Sequence, residues 1–142
     1  MNVLDVIKMD VKSYRFVTCY MEPGDDILFF NYRENINIDL PLAKKLVNRR
    51  LEFTGNKQHY LVQHISDLLD INYEAIQYLK DKDYGLKNIL GLAYIVSGSS
   101  SNQIAEIFVE QAKKFPAKIF NAEGEAIKWI KELKEYHQIT RQ

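Results

Sequence analysis

Two hydrophobic rhythms alternate along this chain, and the places where one gives way to the other mark its elements. From Tyr14 to Met21 the β-formers Tyr14, Phe16, Val17, Thr18 and Tyr20 dominate. Phe16, Thr18 and Tyr20 share one face of an extended segment, and Arg15, Val17 and Cys19 share the other. Pro23-Gly24-Asp25-Asp26 reads as a turn and Ile27 to Arg33 as a second β-rich run, which predicts an antiparallel hairpin. The period then lengthens. Asp39 is placed to cap a helix whose early Pro41 loses no hydrogen bond, because first-turn N–H groups have no partner within the helix. Leu42, Leu46, Val47, Leu51 and Phe53 draw its apolar stripe, and Gly55 marks its stop. Tyr60 to Ile65 predicts a strand, and Asn72 caps a helix from Tyr73 to about Lys82.

Leu92 to Val96, bounded by Gly91 and Gly98, is an apolar strand. Ser100 and Gln103 have capping-box spacing and open a helix to about Lys114, which Pro116 stops. Lys118-Ile119-Phe120 is a short strand, and Asn121 caps a last helix carrying Ala126, Ile127, Trp129, Ile130 and Leu133. Residues 1–12 fit either a short strand or a lead-in segment. The order β-β-α-β-α-β-α-β-α predicts an α/β fold with one mixed five-stranded sheet and about four helices. Strands two to five are expected to be mutually parallel, since each is followed by a helix long enough to cross back. Leu92–Val96 is expected near the centre, because strands buried on both faces lose alternation.

This order resembles that of STAS (SpoIIAA-like) domains, the fold of anti-sigma-factor antagonists and sulfate-transporter tails. Tyr60-Leu-Val-Gln-His-Ile-Ser-Asp67 with its following capped helix resembles the strand, loop and helix around that family's regulatory site. Residues 116–130, PAKIFNAEGEAIKWI, are similar to the terminal strand and helix of uncharacterised bacterial SpoIIAA-like proteins, including those of Bacteroidetes. The resemblance spans residues 14–135 and implies a regulatory or scaffolding module that binds another protein. One departure stands out. Where phosphoregulated relatives carry Asp-Ser-Ser-Gly, this chain reads Leu69-Asp70-Ile71-Asn72-Tyr73-Glu74. A phosphate switch needs a hydroxyl there, and Ser66 is the nearest substitute. The grouping of SpoIIAA-like proteins with lipid-binding SEC14-type domains implies, as an alternative, a small ligand, lipid or anion.

Composition narrows the field. The 142 residues fit one domain, and 46% apolar content argues against disorder. With 19 basic and 19 acidic side chains, no broad field of one sign favours nucleic acid. A lone Cys19 cannot form a disulfide within the chain, no apolar run approaches the ~20 residues of a membrane span, and no signal-peptide pattern opens the sequence. A cytoplasmic protein is expected.

Candidate chemistry is sparse. No nucleophile elbow or P-loop is present. His59 and His64 lie five apart on one strand and face opposite ways, so no shared metal is expected, and no cofactor is implied. A Cys19–His64 pairing across the sheet is left open. Lys44, Lys45, Arg49, Arg50 and Lys57 form either a docking patch or a solvated helix face. Nine tyrosines fit half-buried sheet positions or a pocket lining. The candidate binding surface is therefore Ser66, Asp67, Asp70, Asn72 and Tyr73 beside Ser99 and Ser100. Both loops follow strands at their carboxyl ends, where open α/β sheets tend to place sites. A non-catalytic module with a protein partner, and self-association as a homodimer, are the expectations.

Overall fold

The computed structural model describes residues 10–13, 16–21, 24–32, 35–67 and 69–140. Its strands are β1 (Asp10–Ser13), β2 (Val17–Met21), β3 (Ile27–Tyr32), β4 (Asn37–Ile38), β5 (His59–Ile65), β6 (Asp70–Ile71), β7 (Ile89–Val96) and β8 (Ala117–Phe120). Its helices are α1 (Leu40–Phe53), α2 (Tyr73–Leu79), α3 (Ser99–Gln111) and α4 (Glu123–Thr140). The main sheet runs β1-β2-β3-β5-β7-β8, and β4 pairs with β6 apart from it.

The α/β architecture and the mixed sheet are those the periodicity predicts. The hairpin β2–β3 is antiparallel, and β3, β5, β7 and β8 are mutually parallel. A sixth strand, β1, extends the sheet antiparallel to β2, so part of the segment 1–12 is a strand; residues 1–9 lie outside the described ones. Two other boundaries differ from expectation. α4 begins at Glu123, two residues beyond Asn121, and α2 ends at Leu79, where Lys80 forms its C-cap.

Alternation along the strands divides the core in two. Val17, Cys19, Leu28, Phe30, Leu61, Ile65, Leu92, Tyr94 and Val96 face the layer of α1, α2 and α3. Ile27, Tyr60, Val62, Ala93 and Ile95 face α4, which meets them with Ala126 and Ile130. Trp129 packs beside Phe120, with ring centroids 5.7 Å apart. A Cβ at Gly91 would stand 2.5 Å from Leu133 Cδ2, so glycine here lets α4 lie close on the sheet. At its far end Lys134 reaches Asp25 at 2.6 Å and Asp26 at 2.7 Å, tying the helix to the hairpin turn. Residues 91–96 are all buried, which is why β7 reads as a continuous apolar run.

Candidate functional site

Three loops leave the carboxyl ends of β3, β5 and β7, and local sequence fixes where each becomes a helix. Asp39 Oδ1 accepts the Leu42 N–H at 2.9 Å, and Asn72 Oδ1 accepts the Ala75 N–H at 3.0 Å, so both predicted caps hold. Each follows an isoleucine, Ile38 or Ile71, and those two residues are register partners in the parallel pair β4–β6. Backbone bonds from Asp70 N to Ile36 O (3.0 Å) and Asn72 N to Ile38 O (3.1 Å) join the β3 and β5 loops.

The β5 and β7 loops are joined by Asp67. Its Oδ1 accepts the Ser101 N–H at 2.8 Å, while Ser101 Oγ accepts the Ser97 and Gly98 N–H groups, each at 3.1 Å. The N-cap of α3 is Gly98, which has no side chain, and Asp67 supplies the missing acceptor from another loop. Hydrogen bonding to Ser101 holds the Asp67 carboxyl below its ordinary value. Ser100 is therefore not the cap: it lies exposed inside the first turn, as does Ser99, and the side chain that reaches back to the Gly98 N–H is that of Ser101. The N-terminus of α3, where free N–H groups favour negative charge, is occupied by the protein's own carboxylate. A Cβ on Gly98 would stand 1.9 Å from Asp67 Oδ2, so glycine is required here for space rather than for backbone angle.

The structure thus brings Ser66, Asp67, Ser99 and Ser100 to one side of this end, with Asp70, Asn72 and Tyr73 beside them. Ser66 is half-buried, and its carbonyl accepts the Leu69 N–H at 3.1 Å, closing a turn. Asp70 and Asn72 are exposed, and Tyr73, the first residue of α2, is 71% exposed. Asp39, Asp67, Asp70 and Glu74 lie in these loops and the first turns that follow them, and Glu123 and Glu125 open α4 beyond β8; the described residues of these stretches include no Lys or Arg. The overall charge balance hides this segregation. Acidic groups at helix N-termini are favoured by the helix dipole, which accounts for part of the pattern.

Elsewhere the structure sorts the remaining candidates. His64 lies 3.6 Å from Glu123 on the α4 side, whereas Cys19 is buried on the opposite face, so those two do not pair. Lys44, Lys45, Arg49 and Lys57 are exposed, but Arg50 is not part of that face: it is 3% exposed and points into the core. Its Nη1 donates to Lys87 O at 2.8 Å and lies 2.9 Å from His59 Nε2; its Nη2 donates to Gly85 O at 3.1 Å. Burial, opposed by the neighbouring Tyr32 and Tyr94, lowers the Arg50 pKa to about 10. Burial and then the Arg50 charge lower the His59 pKa to about 4. The sequence reading missed this interior set because a cationic residue inside a basic run looks solvated; the signal was its helical spacing from Leu46 and Val47. Among the described residues, no group of three His, Cys, Asp or Glu is placed to hold a metal ion, and no helix is long and apolar enough to cross a membrane.

Comparison with known proteins then gives the family. The profile described as "Domain of unknown function (DUF7793)" matches residues 20–134. The chain belongs to this family. No curated protein matches the sequence. Among solved structures, the DUF7793 chain is similar to an uncharacterized protein from the DUF3478 family of Shewanella loihica PV-4, described as having a SpoIIAA-like fold. The TM-score is 0.60 at 14% identity, covering 84% of this chain and 98% of that one. The DUF7793 chain therefore has the SpoIIAA-like fold that the order of its elements suggested.

Proposed function

We propose that this protein is a non-catalytic regulatory or scaffolding module that docks a protein partner at the carboxyl end of its parallel strands. The observation that carries the reading is Tyr73, 71% exposed and flanked in the chain by the exposed Asp70 and Glu74. Tyrosine is a frequent anchor in interfaces, because its ring offers large area at little rotamer cost. The acidic surround calls for a basic partner segment, since complementary charge steers encounter and fixes register. Joining of the three loops by β4–β6 and by Asp67–Ser101 supports the same reading, because a surface already ordered pays little entropy on binding. Asp70 and Tyr73 would make contacts, Asn72 and Asp67 would position them, and Ser66, Ser99 and Ser100 would form the rim. The departure from the phosphorylatable loop leaves docking independent of a phosphate switch.

The test is affinity capture from native lysate on wild-type protein and on Asp70→Lys, Tyr73→Ala and, at the opposite end, Lys57→Glu variants. A partner held by wild type and Lys57→Glu but lost by the other two is the expected result. Partners indifferent to Asp70 and Tyr73, or a stoichiometric co-purified lipid or nucleotide seen by intact-mass analysis, would overturn the reading.

A further inference from the structure

Arg50 places a cation in the interior without a carboxylate beside it. Its hydrogen-bond partners, the carbonyls of Lys87, Gly85 and Tyr84 and the ring of His59, are all neutral. No ion pair among the described residues includes it. Carbonyls fix such a group in place but do not cancel its charge, and a buried charge ordinarily has a counter-ion.

Beside Arg50 lies a cavity of about 30 Å³, whose polar wall is Arg50, Tyr32, Gln63 and Tyr94 and whose remaining wall is apolar, including Leu46 and Phe108. A water needs roughly 10–15 Å³ of such space, so there is room for about two water-sized atoms. Tyr32 and Gln63 share a side-chain hydrogen bond. Tyr94 is 3% exposed, and no hydrogen bond is made by its hydroxyl among the described residues. The Tyr94 phenol is the unengaged donor of this wall, it stands beside the Arg50 charge, and no carboxylate lines the space.

We propose that this cavity is a binding site for a small monovalent anion, of the size of a halide, held by the Tyr94 hydroxyl beside the Arg50 charge. The space excludes lipids and nucleotides. The site lies in the core rather than on the docking surface, so the two stand or fall separately.

The experiment uses the whole chain, dialysed into sodium gluconate and titrated with sodium bromide at constant ionic strength, with melting temperature as the readout. A rise that is logarithmic in bromide above the dissociation constant is expected, reaching ~5 °C at ten times that constant. Tyr94→Phe keeps the ring and removes one donor; it should fold and lose the rise. Crystals grown in bromide should show an anomalous peak beside Tyr94. A melting temperature indifferent to bromide would overturn the proposal. So would a linear salt effect shared by both proteins, or a logarithmic rise retained in Tyr94→Phe.

Discussion

His59 makes the native state sensitive to mild acid, and the size of the effect follows from its surroundings. The ring is completely buried, with Nδ1 2.9 Å from Lys57 O and Nε2 2.9 Å from Arg50 Nη1. The carbonyl can only accept and the guanidinium can only donate, so the ring is neutral with its proton on Nδ1. Protonating Nε2 would set two cations in contact. Desolvation and the Arg50 charge accordingly lower the folded pKa from 6.5 to about 4. Between these values the unfolded chain binds more protons than the native one, so stability rises with pH. The stabilisation is complete above pH 6.5 and is lost as pH falls toward 4; below that both states are protonated. For one such site the loss between pH 7 and pH 4.5 is about 2.5 kcal/mol. Urea unfolding at those two pH values measures it, with His59→Gln, which carries a neutral acceptor and does not titrate, as the reference. The Asp67 carboxyl, held below its ordinary 3.8, loses its contribution only at lower pH and does not enter this window. An equal pH dependence in wild type and His59→Gln, or an NMR titration of the His59 ring near pH 6.5, would refute the reasoning.

Arg50→Met should destabilise the fold by about 3 kcal/mol, because it strips donors from the partly buried carbonyls of Tyr84, Gly85 and Lys87; chemical unfolding at pH 7 reads this directly. The same substitution should raise the His59 pKa and so narrow the acid-sensitive window. Gly98→Ala should displace Asp67 from the start of α3 and lower the melting temperature, whereas Ser99→Ala and Ser100→Ala should leave it within about 1 °C. Asp67→Ala should do the same damage as Gly98→Ala, and the double variant should be no worse than either, since both remove one contact. Self-association through β1, one of the two terminal strands in the sheet order, predicts a dimer by sedimentation at micromolar concentration; a monomer there removes that expectation.

Much of the fold was legible in the sequence because it is set by short-range physics. Asp39 and Asn72 cap their helices through atoms three residues away, so a linear reading finds them. The buried run of β7 and the alternation of β2 and β3 follow from the period-two geometry of a strand, and the order of elements follows from both. The candidate site was only half legible. Ser100 and Gln103 had the spacing of a cap, but the N–H of Ser101 is bound by Asp67, 34 residues away, a partnership that no local spacing encodes. Likewise the two-residue strands β4 and β6 are too short to carry a periodicity; they exist because two loops emerge side by side.

What the sequence alone determined was therefore the set of helices and strands and their order, for these depend on contacts within a turn or a pleat. Only the tertiary structure decided the rest. It placed Arg50 inside rather than in the basic face beside it, opened a cavity between β-sheet and helices, and left Tyr73 exposed at the start of α2. The reason is that a side chain's burial and charge environment are properties of the elements packed against it, and those come from distant parts of the chain.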